Sequence, residues 1–125
     1  MGLDMYAYSM SEDAVIDDFS YDPDYAKTEI RYWRKHNALH NWMEKLFHSK
    51  GGTNTFNCIP LRLTKEDMEQ LIVDIKTSKV TPVTGFFFGS HDYYDGDAKS
   101  NDIQFAHQVM AEIDDGNVVY YDSWW

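Results

Sequence analysis

The sequence predicts one α+β domain over residues 1–125, a mainly antiparallel sheet of about four strands with three helices packed on it. Three observations predict it. The segments "GLDMYAYS" and "VVYYDSWW" alternate with the period of strands, whereas three longer segments repeat apolar residues at helical spacing. The resulting order, β-β-α-(β)-α-β-α-β, suggests helices on one face of the sheet.

Each element has its own justification. Leu3, Met5 and Ala7 alternate with Asp4, Tyr6 and Tyr8, giving a first strand with one face inward. "SEDAVIDDFSYDPDY" follows, with six acids between Glu12 and Asp24, and reads as an exposed acidic loop over about residues 10–26. "KTEIRYWRK" is a second strand, with Ile30 and Tyr32 on one face and Arg31 and Trp33 on the other. From His36 the period changes: Leu39, Trp42, Met43, Leu46 and Phe47 form a helical stripe, and Gly51-Gly52 ends it. "CIPLRL" is a short edge strand, because Pro60 cannot donate to a central ladder.

Thr64 caps a second helix, with Glu66 and Asp67 in its first turn and Met68, Leu71, Ile72 and Ile75 buried. "TPVTGFFFGS", the most apolar strand, is expected at the sheet centre. "HDYYDGDAKSND" reads as a polar loop, with Ser100 or Asn101 capping a third helix that turns Ile103, Ala106, Val109, Met110 and Ile113 inward. Gly116-Asn117 leads into the last strand, which sends Tyr120, Asp122 and Trp124 one way and Tyr121, Ser123 and Trp125 the other.

Composition narrows the function classes. The formal net charge is −10, from 21 acids against 11 Lys and Arg. Such a field argues against direct nucleic-acid binding and suits contact with a basic surface. A single cysteine, Cys58, rules out an intrachain disulfide and reads as a small buried hydrophobe. The start lacks a secretory pattern, and Tyr6 stands where a myristoylation site needs Ser or Thr. A cytoplasmic protein without membrane segments is the expectation, and the sequence leaves oligomeric state open.

The densest chemistry lies in "YWRKHNALHNW". His36 and His40 are four apart and share a helical face, as metal-binding pairs do, but no Glu stands between them as in the HExxH pattern. His91, Asp92 or Asp95 would have to complete a metal site. Arg34, Lys35, His36 and Asn37 fall at a helix N-terminus, where unsatisfied N–H groups and the dipole favour anions. The alternative is structural, with Arg34 paired to an acid and His36 or Asn37 serving as the cap. "SHDYYDGD" fails the EF-hand register, and phosphate-loop and nucleophile-elbow patterns are absent.

With "MGLDMY", "YWRKHNALHNW", "GFFFGSHDYY" and "YDSW" in hand, the chain resembles a family of small bacteriophage and prophage proteins. Its members are often labelled phosphoglycerate kinase, a label this chain contradicts by its length and its lack of glycine-rich phosphate loops. Asp122 before Ser123 and the extra Trp125 depart from the family ending. The resemblance implies an accessory phage-type protein working in a host bacterial cytoplasm, with no activity to carry over.

The expected function is therefore a phage-type binding protein, in its most concrete form an acidic inhibitor of a host nucleic-acid or defence system. Two surfaces are candidates. A ligand pocket for a small anionic or nucleotide-like molecule would use Trp33, Arg34, Lys35, His36, Asn37 and His40 with Ser90, Asp92 and Tyr93. A contact to a basic host protein would use Asp13, Asp17, Asp18, Asp22 and Asp24 of the acidic loop. No catalytic residue, metal or cofactor is assigned. The alternative is a small enzyme with His36 or His40 as base or metal ligand.

Overall fold

The computed structural model describes residues 2–80 and 96–125. In chain order these form β1 (Asp4–Ser11), a 3-10 turn (Glu12–Ala14), β2 (Val15–Asp17), β3 (Ser20–Tyr21) and β4 (Lys27–Arg34). Then come α1 (Asn37–Ser49), β5 (Leu61–Leu63), α2 (Lys65–Lys76), α3 (Gly96–Asp114) and β6 (Asn117–Trp124). The main sheet has the order β4-β1-β6-β5 with all neighbours antiparallel, and β2-β3 form a separate ribbon. This is the α+β class that the alternating and helical periods predict. The expected central strand "TPVTGFFFGS" lies outside the described residues.

The two faces of the sheet follow from the period of β1. Leu3, Met5 and Ala7 are fully buried in one cluster with Leu39, Met43 and Phe47 of α1, Met68, Leu71 and Ile75 of α2, and Phe105, Ala106 and Val109 of α3. All three described helices thus cover one face, removing its apolar area from water. The odd-numbered Val119 and Tyr121 of β6 join this core. Met10, Val118 and Tyr120 belong instead to a smaller cluster on the outer face, together with Ala14, Tyr8, Val15 and Tyr21.

The acidic segment is therefore more than a loop. Ser11 accepts from Asp13 N–H at the 3-10 turn, Asp17 accepts from Phe19 N–H and Ser20 hydroxyl, and the ribbon folds back over the outer face. Tyr120 hydroxyl donates to the Asp17 carbonyl at 2.6 Å and fastens it. Interleaved apolar residues, Ala14, Val15 and Tyr21, give this segment something to bury despite its charge.

A second difference lies in β4. The pairing steps from Ala7 with Arg31 to Tyr8 with Glu29, so Ile30 is an extra residue. This bulge lets Ile30 pack on the same core as Trp33 instead of sharing a face with Tyr32. A third concerns α3, which begins at Gly96 within the expected polar loop, so neither Ser100 nor Asn101 is its cap. Cys58 is exposed, not buried, with a left-handed φ of 59°.

The other helix ends match their sequence signals. Thr64 and Asp67 form a reciprocal capping box at α2. Past α1, Gly51 takes φ 102°, and Gly52 packs so closely that a Cβ would overlap the Phe47 ring. That ring cannot give way, because Phe19 and Phe56 lie 4.9 and 4.7 Å from its centroid. Among the described residues no helix is long and apolar enough to cross a membrane.

Gly52→Ala should lower stability by about 1–3 kcal/mol, the range for overpacking a filled core. Thr53→Ala at the exposed neighbour should stay within about 0.5 kcal/mol. Denaturant midpoints at constant m-value check both.

Candidate functional site

The strand-to-helix junction begins with a forced turn. Lys35 adopts φ 56°, while its N–H donates to Leu3 carbonyl at 2.8 Å and its carbonyl accepts from Asn37 N–H at 3.0 Å. A left-handed non-glycine residue costs on the order of 1 kcal/mol and persists only where surrounding contacts hold it. The turn separates Arg34, still on the sheet, from His36, which opens α1.

His36 occupies the N-cap but makes no side-chain cap bond. Its ring reaches α3 instead, with Nε2 2.6 Å from Oδ2 of the buried Asp102. One turn further along α1, the fully buried His40 places Nδ1 2.7 Å from the Tyr121 hydroxyl of β6. Phe56 stacks on the His40 ring at 5.3 Å and on Tyr121 at 5.9 Å. Helical spacing brings the two imidazoles to one side, and each meets a different element.

Burial holds the His40 pKa down at about 4, so its ring is neutral at pH 7. Burial pushes the Tyr121 phenol well above its usual range, so that group stays protonated. The pair is neutral whichever partner donates. A buried neutral pair positions a ring rather than supplying charge.

Asn37, the first residue of α1, lies between these contacts. It is 3% exposed, and among the described residues neither Nδ2 nor Oδ1 has a hydrogen-bond partner. Leaving such an amide unpaired in a protein interior costs roughly 1–3 kcal/mol. The first turn of α1 contains no acidic residue, whereas that of α2 contains Glu66 and Asp67 and is closed by its box. α1 therefore presents a helix N-terminus without a side-chain cap, beside an amide offering one acceptor and two donors.

The structure divides the remaining expected site residues. Trp33 packs edge-on against Phe105 at 4.7 Å and supports the junction from the core side. Arg34 lies on the outer face, 3.2 Å from Asp4 Oδ1, and so does not join the histidines. The pocket candidates Ser90, Asp92 and Tyr93 lie outside the described residues, as do the further metal-ligand candidates His91 and Asp95. Among the described residues no group of three or more His, Cys, Asp or Glu side chains could hold a metal.

Of the loop acids, Asp17 and Asp22 hold local turns through their carboxylates, while Asp13, Asp18 and Asp24 are exposed. Asp102 and Tyr121 were not among the expected site residues. Asp102 sits three residues before Phe105 and four before Ala106, a spacing that places it on the inward face of α3. Comparison with family models, curated proteins and solved structures finds no match to this chain.

The neutral state of His40 has a pH consequence. Above pH 6.5 the ring is neutral in folded and unfolded chains alike, so its contribution is flat. As pH falls from 6.5 towards 4 the unfolded chain takes up the proton first, and stability drops by about 1.4 kcal/mol per unit. Acidification from pH 7 to 4 should therefore destabilise the wild type relative to His40→Gln by roughly 3 kcal/mol. Denaturant unfolding at several pH values reads this difference, and a constant offset would contradict a buried neutral ring.

Proposed function

We propose that the protein is a phage-type binding protein that sequesters a small anionic, nucleotide-like ligand at the mouth of α1. The observation that carries this reading is the buried Asn37 amide without a partner. An amide that both donates and accepts matches the edge of a nucleobase or a comparable amide-like group. The adjoining helix N-terminus favours the negative end of the same molecule. His36, fixed by Asp102, and the ring stack of Phe56, His40 and Tyr121 give the junction rigid walls.

The resemblance to phage and prophage proteins supplies the setting. Removing a nucleotide-like signal from a bacterial cytoplasm is one way for such a protein to inhibit a host nucleic-acid or defence system. Binding without turnover suits the site better than catalysis, since His40 is neutral and shut in. Among the described residues His36 with Asp102 favours the enzyme reading, because a buried carboxylate orients an imidazole as in general-base dyads. Product analysis after incubation with the nucleotides below separates the two: turnover lost in His36→Gln supports the enzyme.

Calorimetric titration with adenosine and guanosine mono-, di- and triphosphates and inorganic phosphate tests the binding reading. At least one nucleotide should bind saturably, and Asn37→Leu should weaken it by about tenfold or more. The same substitution should stabilise the free protein by about 1–3 kcal/mol, since it replaces an unpaired buried amide with an apolar group of similar size. Loss of stability in Asn37→Leu together with no binding by the wild type would sink the proposal.

A further inference from the structure

The chain from Gly51 to Pro60 joins α1 to β5 without forming a helix or strand. It exposes Thr53, Asn54, Thr55 and Cys58, yet the Phe56 ring in their midst is buried. That ring lies nearly parallel to three others: Phe47 at 4.7 Å, His40 at 5.3 Å and Tyr121 at 5.9 Å. One loop residue thus covers a flat side of His40, whose Nδ1 meets the Tyr121 hydroxyl at the ring edge. A buried polar pair is closed on that side by a loop and not by the helices or the sheet.

The loop is tied down at one place. The Asn57 side chain accepts from Trp125 N–H at 3.0 Å and donates to the Trp125 carbonyl at 2.9 Å, as a neighbouring strand would. Trp125 Nε1 donates to the Phe56 carbonyl at 3.0 Å, and Cys58 N–H donates to the Ser123 carbonyl at 2.8 Å. Every one of these bonds runs between Phe56–Cys58 and the end of β6. Cys58 takes the left-handed φ of 59° inside this clasp. Because the bonds share so few residues, breaking one loosens the rest, and the segment behaves as a small cooperative unit.

We infer that Phe56–Cys58 and the end of β6 form an acid-released clasp, which opens as a unit over the His40–Tyr121 pair when His40 takes up a proton. A charged imidazole needs water or a carboxylate beside it. Among the described residues, Tyr121 faces the ring from β6 as a neutral phenol, and Phe56 faces it from the loop without charge. On α1, His36 one turn earlier is engaged with Asp102 of α3. The carboxylates that act on Tyr121, Asp122 of β6 and Glu44 of α1, do not offset the burial that holds His40 down at about 4. Water is what remains, and displacing Phe56 admits it.

Linkage sets the size of the effect. With the clasp open, the ring regains its ordinary value of 6.5. Above pH 6.5 both forms are neutral and opening does not depend on pH. Below it the open form binds the proton first, so the opening constant rises about twentyfold between pH 7 and pH 5. The clasp needs no ligand, and it stands whether or not the α1 mouth binds one.

Amide hydrogen exchange on the full chain, divided by the intrinsic rate at each pH, tests this. At pH 7 the Cys58 and Trp125 amides should be at least about tenfold less protected than those of the central strand β1. Their opening constant should rise about twentyfold at pH 5, and His40→Gln should flatten that rise to under about threefold. Asn57→Ala should raise opening by about tenfold at both pH values and keep their ratio, because it loosens the clasp without touching the histidine. Equal protection at the clasp and in β1 would mean that the segment is released only by global unfolding, and would overturn the inference. So would a rise that survives in His40→Gln, or one that disappears in Asp122→Asn and so belongs to that carboxyl.

Discussion

The pairing of β1 with β6 joins distant parts of the chain residue by residue, from Asp4 with Trp124 to Ser11 with Asn117. β1 also pairs along its other edge with β4, so it has no free edge over most of its length. Its alternation then fixes both sides of the molecule at once. Leu3, Met5 and Ala7 must face the helices, and Tyr6, Tyr8 and Met10 must face away. A slip of one residue in this register would bury Tyr6 and Asp4 under α1 and expose the core.

The α1 junction inherits its geometry from that strand. Lys35 is bonded through its N–H to Leu3 carbonyl, the residue just before β1, so α1 can start only where the sheet ends. From there His36 reaches α3 through Asp102, Trp42 reaches α2 through Asp74 at 2.9 Å, and Lys50 reaches Asp67 at 2.6 Å. These polar contacts set the axial position of α1, which apolar packing alone leaves loosely specified. Asn37 is thereby held in a buried place without a partner, although nothing in local helix chemistry requires an amide there. A strained turn and an unpaired amide within three residues are a local cost that a well-packed fold offsets, and such costs concentrate where ligands bind.

The parts of this arrangement that are local were legible in the sequence. The alternation of β1, the stripe of α1 from Leu39 to Phe47 and the Thr64 box all rest on neighbouring residues, and all stand in the structure. The parts that needed tertiary information were not. The Ile30 bulge exists because β1 imposes its register on β4, and the pattern of β4 alone reads as unbroken alternation. Asp102 looked like a loop residue because seven polar or small residues, Gly96 to Asp102, precede the first branched aliphatic of α3. Arg34 and His36 are two apart in sequence, yet the positive φ of Lys35 sends them to opposite sides of the sheet. Cys58 was misplaced for the same reason, since its left-handed backbone and exposure follow from the turn that lets its N–H meet the Ser123 carbonyl at 2.8 Å.

That division of Arg34 from His36 bears on how an acidic chain could accept an anion at all. With a net charge of −10, the mean field opposes any phosphate that approaches. Arg34 does not relieve it at the α1 mouth, because it is paired with Asp4 on the other face. Short-range groups would have to do so: the N–H groups of the first turn and the Asn37 amide. Such groups act within hydrogen-bond distance, where ionic screening has little effect, whereas the repulsion they overcome is long-ranged and screened beyond roughly 8–10 Å. Salt would therefore strengthen an anion held at α1, because it screens the opposing field more than the short-range contacts.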